Sequence, residues 1–423
     1  MAQGVIGERR PSGSYPEGAE FDKFVKRRQG WGRFWHGMYF GATMVGIVCL
    51  IALLANISNN AFGYVAIQYK VEPSTVMAGD LATQPSETLI AILKDKLRAG
   101  RVRALQAEKP LADRSQEQLY QLVETEVLKP QVAASWTLLD SIVKRDEIMA
   151  QAAALPGNVD LQFHSWVNWN FVSSPQSADP LKAGISTAIW GSLWVTLIAF
   201  LVAIPLGTAA AIYLEEYSSG RSKLDQVIET NINNLAGVPS IIYGMLGLAV
   251  FVRFFGAITS GLAFGYGDPA TSNGRTILSA GLTLGLLILP LVIINAREAI
   301  RAVPRAMREG AYGLGATRWQ TTWHHVLPSA LPGILTGVIL AVSRAFGETA
   351  PLLVVGVSTF IVVNPDSIFS KFTTLPAQIY QWTSRPQQEF QHLAAAGIIV
   401  LLILLVTINA TAIFLRNRYA RRY

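Results

Sequence analysis

The sequence comprises 423 residues, of which 51% are hydrophobic and 15% are charged. Because soluble proteins usually carry about 25% charged residues, this composition excludes an ordinary soluble domain and indicates a membrane protein. The formal net charge of +7 does not indicate a nucleic-acid partner, since the basic residues lie mainly beside apolar runs, where a membrane topology needs them.

Six apolar stretches are long enough to cross the hydrocarbon core of a bilayer, which is about 30 Å thick. Spans in lipid are expected to be helices, because every backbone polar group then finds a partner within its own segment. The predicted spans are 36–58, 184–213, 232–255, 276–296, 331–357 and 393–414. The predicted fold class is therefore an all-α membrane protein with six transmembrane helices.

Three basic segments determine the predicted orientation of the chain. They are the polar tail 1–35, the loop 297–328 between the fourth and fifth spans, and the tail 416–423. By the positive-inside rule, all three segments are expected to be cytoplasmic. The chain is therefore predicted to be a multi-pass protein in contact with membrane lipid, with both termini in the cytoplasm.

The insert, residues 65–180, follows the first span, and the same topology places it outside the cytoplasm. Apolar residues recur in the insert at helical spacing, and this pattern predicts a small helical domain or hairpin. These residues are Leu89, Ile92, Leu93, Leu97, Leu119, Leu122, Val123 and Val127. The five later spans are predicted to form one compact unit over residues 184–415.

Arg344 and Glu348 are the only charged residues within the apolar run of the fifth span. They are four residues apart, so a continuous helix places them on one face near the middle of the span. A charge at that depth is costly and normally faces a cavity or a partner. Two interpretations stay open: a structural ion pair that locks the helices, and an anion-handling site on a translocation path. Arginine presents a planar fork that suits a tetrahedral oxyanion, and Glu348 would orient Arg344 or accept a proton.

The loop 297–328 is basic and punctuated by glycines. Its candidate docking residues are Glu309, Gly310, Ala311, Gly315, Ala316 and Thr317, followed by Leu327-Pro328. Their spacing resembles the cytoplasmic docking loop of ABC importer permeases, although Gly310 and His325 stand where alanine and isoleucine are expected. That resemblance implies that the loop binds an ATPase subunit. The alternative is an ordinary amphipathic connector with a glycine cap at Gly315.

The sequence contains no GxxxxGK[ST] phosphate loop, so this chain is not expected to hydrolyse ATP by itself. It contains no HExxH pair, and nothing in it suggests a Ser-His-Asp arrangement. His324 and His325 are adjacent, but no cluster of cysteine or acidic residues accompanies them as metal ligands. We therefore predict no catalytic residue, no metal site and no cofactor.

Five motifs together resemble the PstA-type permease family of the phosphate ABC importer. They are AAIYLEEY (210–217), NLAGVPSIIYG (234–244), LGATRWQTTWHHVLP (314–328), LPGILTG (331–337) and RAFGETAPLL (344–353). The docking loop alone indicates only an ABC importer, whereas the GETAPLL ending favours this permease over its sister subunit. The insert 65–180 is not typical of the family.

The resemblance implies an ABC importer type I permease core over residues 184–415, in a bacterial inner membrane. It also implies a second homologous permease subunit, two ATPase subunits and an extracytoplasmic phosphate-binding protein. ATP hydrolysis in the ATPase would drive alternating access, and Arg344 would meet the ion without any covalent change to phosphate. Three alternatives stay open: a permease for another oxyanion such as sulfate or molybdate, a passive anion channel, and a scaffold that reports phosphate status to a sensor kinase.

Overall fold

The computed structural model describes residues 18–71, 76, 84–156, 159–218, 222–266 and 273–419. The predicted tail 1–35 lies outside the described residues as far as residue 17, and the tail 416–423 lies outside them from residue 420 onward. Residues 72–75, 77–83 and 157–158 of the predicted insert lie outside them as well.

The first predicted span belongs to one long helix, α1 (Ala19–Ala61). Its 43 residues extend about 65 Å at 1.5 Å per residue, about twice the thickness of the hydrocarbon core. The predicted span 36–58 is the C-terminal half of this helix. The N-terminal half carries basic residues and the exposed aromatic side chains of Trp31 and Trp35, a combination that suits the headgroup region.

The insert combines strands with short helices. Its strands are β1 (Phe62–Tyr69), β2 (Pro130–Ser135) and β3 (Val159–Ser165). Its helices are α2 (Ser86–Lys96), α3 (Ala99–Glu108), α4 (Gln116–Leu122), α5 (Leu138–Val143), α6 (Arg145–Ala153) and α7 (Trp169–Ser173). Helix α4 continues as the wider π-helical segment Val123–Leu128.

The three strands form an antiparallel sheet in the order β2-β1-β3, and β1 begins directly after α1. Helices α2 and α4 lie where the apolar spacing predicts helices, and Leu89, Leu93 and Leu119 are fully buried in one cluster. The prediction of a purely helical insert is nevertheless wrong. The sequence FGYVAIQY of β1 is short and only partly alternating, so the helical spacing further along the chain dominates the pattern.

The core contains the remaining helices that the structure describes. They are α8 (Ser186–Ile212), α9 (Lys223–Ala236), α10 (Ser240–Gly247), α11 (Gly256–Thr259), α12 (Ile277–Arg301), α13 (Arg305–Gly313), α14 (Arg318–Thr321), α15 (Leu327–Gly347), α16 (Ala350–Val355), α17 (Leu375–Thr383) and α18 (Gln388–Tyr419). Helices α8, α10 and α14 continue as π-helical segments over Tyr213–Tyr217, Leu248–Phe254 and Thr322–Val326.

Helix α12 is the centre of the core and packs along α8. Its side chains Ile277, Leu284 and Ile288 are buried in the main apolar cluster. The two helices approach closely at Gly281, where a Cβ atom would lie 2.6 Å from the Cβ of Ile198. A small residue at such a contact lets membrane helices pack with their backbones close together.

The predicted span 232–255 is not straight. Helices α9 and α10, with the π-helical segment after α10, form a pair bent by 107°. The bend falls at Gly237–Pro239, because proline lacks an N–H and disfavours a helical backbone in the residue before it. Five helices of the described residues are long and apolar enough to cross a membrane, and the bent pair makes six if it counts as one span.

The predicted span 331–357 is interrupted as well. Helix α15 ends at Gly347, Glu348 is extended, and α16 begins at Ala350 with a proline in its first turn. The ring of Pro351 would clash with the carbonyl of residue 347 if the helix continued without a break. The chain therefore has a helix end, and not a helix middle, at the position of the predicted path residues.

Candidate functional site

Arg344 and Glu348 lie at the break between α15 and α16. Arg344 is in the last turn of α15, and Glu348 follows with φ −75° and ψ 127°. The Nε atom of Arg344 is 3.4 Å from Oε1 of Glu348. The expectation of one uninterrupted helix face is therefore wrong, because the helix ends at Gly347, yet the two side chains still contact each other.

The guanidinium group of Arg344 is accessible and only partly engaged. Its side chain is 47% exposed, whereas that of Glu348 is 19% exposed. Among the described residues, Glu348 is its hydrogen-bond partner, through Nε alone, so the two terminal nitrogens of the fork are not engaged. The position at the C-terminal end of a 21-residue helix favours a positive charge, because unpaired carbonyls collect there.

Glu348 also lines a small cavity inside the core. Ser192 and Thr196 of α8 and Thr374 next to α17 supply hydroxyl groups to its wall, together with the apolar side chains of Val195, Leu284, Ala345, Phe346 and Leu352. The cavity measures about 10 Å³, which is roughly the space that one water molecule needs. A cavity of this size is too small for an oxyanion.

The candidate docking residues form a helix–turn–helix made of α13 and α14. The backbone of Gly315 is left-handed, with φ +83°. Gly315 N donates to Tyr312 O at 2.9 Å, and Ala316 N donates to Ala311 O at 3.0 Å. This is the Schellman arrangement that ends helices, and glycine adopts it without the steric cost of a Cβ atom.

Thr317 begins α14 through a reciprocal cap. Thr317 N donates to Gln320 Oε1 at 2.9 Å, and Gln320 N donates to Thr317 Oγ1 at 3.3 Å. Such a capping box satisfies two backbone N–H groups that the start of a helix otherwise leaves unpaired. Glu309 and Gly310 lie on the exposed face of α13, so the structure brings all six candidate docking residues into one compact element.

The same element carries an exposed apolar surface that the sequence analysis missed. The side chain of Leu314 is 91% exposed, and Tyr312, Trp319 and Trp323 are also exposed. The two tryptophan rings stack with centroids 5.4 Å apart. Their spacing of four residues was a detectable signal, since such residues meet on one helix face. Exposed apolar side chains that lie close together are typical of surfaces that bind another protein or a membrane.

An ion-pair cluster joins this element to the core. Arg308 donates to Glu216 Oε1 from NH2 at 2.7 Å and from Nε at 3.1 Å, and it also donates to the carbonyls of Ile300 and Val303. The side chains of Arg308 and Glu216 are only 16% and 5% exposed. The AAIYLEEY motif thus supplies the acidic partner of α13, a role that the sequence analysis did not assign.

Glu215 makes the neighbouring contacts of the ion-pair cluster. Its Oε1 accepts from Arg297 Nε at 2.9 Å and from Arg301 NH2 at 2.7 Å. Arg297 also reaches Glu229 of α9 at 3.1 Å. Ion pairs therefore connect the end of α12 with the π-helical segment after α8 and with the middle of α9. The signal in the sequence was a pair of glutamates in one loop and an excess of arginines in another, but only the fold shows which ones meet.

A second cavity, of about 420 Å³, lies between the insert and the start of the core. His164, Glu124, Lys182 and Trp166 contribute to its lining. Burial lowers the pKa of His164 below its ordinary value. Burial, followed by repulsion from Glu117, raises the pKa of Glu124, and Lys182 opposes this shift. No pattern in the sequence predicts this cavity.

Comparison with known proteins identifies the family. The profile described as "Binding-protein-dependent transport system inner membrane component" matches residues 203–423, just over half of the chain. The probable ABC transporter permease protein YqgH of Bacillus subtilis is 32% identical over 254 residues, which cover 60% of this chain and 77% of that protein. The phosphate transport system permease protein PstA 1 of Mycobacterium tuberculosis is 34% identical over 245 residues, with coverages of 58% and 74%.

The phosphate transport system permease protein PstC of Pasteurella multocida is 32% identical over 246 residues, which cover 55% of this chain and 74% of that protein. These relatives confirm the resemblance to PstA-type permeases, and the mostly helical fold with five to six candidate spans agrees with it. The chain therefore belongs to the family of binding-protein-dependent transport system inner membrane components, and it is a multi-pass permease subunit of an ABC importer.

Proposed function

We propose that this chain is a permease subunit of an ATP-driven phosphate importer. It forms half of the translocation path and docks an ATPase subunit through α13 and the turn that follows. The observation that carries the proposal is the position of Arg344 at a helix end, 47% exposed and with both terminal nitrogens unengaged among the described residues. The phosphate permeases among its relatives support the choice of substrate.

The chemistry of the pair suits a partly protonated oxyanion. The planar fork of Arg344 binds two oxygens of a tetrahedral anion at once. The carboxylate of Glu348 accepts a hydrogen bond from phosphate, which keeps at least one proton at neutral pH, and repels sulfate, which keeps none. Because the single contact with Glu348 is 3.4 Å long, an arriving anion displaces it at little cost.

The cavity beside Glu348 measures only about 10 Å³, so in our proposal the ion passes this point after a conformational change. In our proposal, the ATPase grips the exposed surface around Leu314 and moves α13. Arg308 transmits this movement to the ends of α8 and α12 through Glu216 and the carbonyls of Ile300 and Val303. ATP hydrolysis takes place in the ATPase subunits, and this chain needs no cofactor of its own.

The complete transporter in this proposal contains a second homologous permease, two ATPase subunits and an extracytoplasmic phosphate-binding protein. Both termini of this chain are cytoplasmic, and residues 65–180 are extracytoplasmic. The relatives named as PstA and PstC support a pair of related permeases. Co-purification in mild detergent tests this composition, and recovery of this chain without an ATPase would contradict it.

Uptake by the complete complex in proteoliposomes tests the function. Radioactive phosphate should enter only with ATP and the binding protein, and Arg344→Gln should abolish uptake while the complex still assembles. Arg344→Lys should also transport poorly, because a point charge does not reproduce the fork. Glu348→Gln should weaken the preference for phosphate over sulfate.

Three outcomes would contradict the proposal. Preferential uptake of sulfate or molybdate would identify another oxyanion importer, and flux without ATP through this chain alone would identify a passive channel. Full uptake by the double variant Arg344→Glu, Glu348→Arg would show that the two residues form only a structural ion pair, because such a pair tolerates exchange of its charges.

A further inference from the structure

A seam of buried polar side chains lies between the first half of α8 and the start of α17. Its members carry hydroxyl or amide groups, and each is at most 6% exposed. They are Thr187, Ser192 and Thr196 on one side and Thr373, Thr374 and Gln378 on the other. So many buried polar groups in a membrane protein core call for a reason, since burial of a polar group without a partner is unfavourable.

Contacts show that the two sides of the seam touch. Ser192 Oγ accepts from Leu375 N at 2.8 Å. Gly191 lies against the backbone carbonyl of Thr373, where no Cβ atom has room. Thr374 also lines the cavity that contains Glu348. Gln378 N donates to Thr374 O at 2.8 Å, so Gln378 lies one helical turn beyond Thr374 along α17.

Most of these groups lack a hydrogen-bond partner among the described residues. Thr187, Thr373 and Thr374 each leave the hydroxyl oxygen unpaired, and Gln378 leaves both its oxygen and its nitrogen unpaired. Gln176 provides a contrast, because it is equally buried but accepts a hydrogen bond from Ile361 N at 2.6 Å. A buried amide with no partner calls for an explanation, and an ion that binds beside it is one.

Building on the proposed function, we infer that this seam is the outer part of the phosphate path and that Gln378 contacts the ion there. The seam opens when α8 and α17 separate, and the Gln378 amide then donates to phosphate oxygens while its carbonyl accepts from a phosphate hydroxyl. The seam residues carry no charge, so they bind the ion weakly enough to pass it on to Arg344. Weak contacts along a path are what conduction requires.

The start of α8 follows the insert along the chain, which places this end of the seam on the extracytoplasmic side in the proposed topology. The seam therefore leads from that side to Glu348. A path along the seam also explains why the polar groups cluster on these two segments. Both segments border the small cavity beside Glu348, and Ser192, Thr196 and Thr374 line it.

Replacement of Gln378 by leucine tests the inference, because leucine has a similar volume and no polar atom. In the complete complex, Gln378→Leu should lower phosphate uptake by about tenfold or more, since the ion loses hydrogen bonds to its charge. Thermal stability of the purified chain should stay the same or rise, because an unpaired buried amide has been removed.

Two matched variants serve as controls. Gln176→Leu removes an equally buried but paired amide, so it should lower thermal stability while uptake per assembled complex is retained. Thr208→Val removes another buried hydroxyl that has no partner among the described residues, in the second half of α8 and outside the seam, and should leave uptake unchanged. If uptake falls in the seam variant and not in the two controls, the loss reflects contact with the ion and not the removal of a buried polar group.

Normal uptake by Gln378→Leu in assembled complexes would overturn the inference while the proposed function stands. If Gln378→Leu does not assemble, Thr374→Val decides, because it keeps the shape of the side chain. Lower uptake by Thr374→Val in assembled complexes would support the inference, and normal uptake would overturn it. If the wild-type complex carries no phosphate, the proposed function fails and the inference fails with it.

Discussion

Arg308 is predicted to hold the docking helix α13 on the core, and Arg308→Gln tests this. The substitution leaves the carboxylate of Glu216, which is 5% exposed, without its partner. Removing one member of a buried ion pair costs roughly 3–5 kcal/mol. The guanidinium is 16% exposed and thus partly solvated, so we expect a value near the lower end, about 3 kcal/mol. That corresponds to roughly a 100-fold increase in the population in which α13 is detached.

Hydrogen exchange of the purified complex measures this population directly. The backbone amides of α13 should exchange roughly 100-fold faster in Arg308→Gln than in the wild type. Arg305→Gln is the matched control, because Arg305 lies on the same helix, is exposed and has no ion pair among the described residues. Its exchange should match the wild type. Equal exchange rates in Arg308→Gln and the wild type would refute the reasoning.

Three further predictions concern other parts of the chain. Gly315→Ala should uncouple ATP hydrolysis from uptake, since the backbone φ of +83° at Gly315 is costly for other residues. A Cβ atom at Gly310 likewise meets open space, so Gly310→Ala is the control, in which hydrolysis and uptake should stay coupled. Equal coupling of hydrolysis to uptake in the two variants would contradict this. Ser115→Cys in a Cys49→Ser background should react with an impermeant thiol reagent in cells whose outer barrier is open, and labelling only after the inner membrane is broken would overturn the topology. Burial lowers the pKa of His164, so on acidification the unfolded chain is protonated before the folded one, and the free energy of unfolding should fall as pH drops through about 6.5. Thermal unfolding of His164→Gln should show a smaller loss of stability over the same pH range. An unchanged loss would exclude His164 as its cause.

The long apolar helices and the turn between α13 and α14 were predictable because their signals are local. Long uncharged runs are recognisable wherever they occur, and Gly315 and Thr317 ended and began helices as such residues usually do. The breaks at Pro239 and Pro351 were not predicted, although both residues were visible. A proline inside an apolar run is compatible with either a bent or a continuous helix, and the packing of neighbouring helices decides between them.

The long-range pairings were beyond the sequence pattern. Glu216 and Arg308 are 92 residues apart, and nothing in the local sequence of either residue indicates the other. Gln378 is one of two glutamines in α17, and only its burial without a partner among the described residues distinguishes it from Gln381. The strands of the insert were missed for a related reason, because a sheet is specified by pairing between segments that lie far apart in the chain.

The pairing of β1 with β3 bears on how a membrane protein acquires an extra domain. Gln68 lies opposite Val159, so 90 residues of the chain, β2 among them, separate two adjacent positions of the sheet. Closing a loop costs only about 0.6 kcal/mol for each doubling of its length. Growth from a tight hairpin turn to this excursion therefore costs about 3 kcal/mol in closure entropy. A pair of hydrogen-bonded strands thus provides a place where chain length can change during evolution while the helices downstream keep their register.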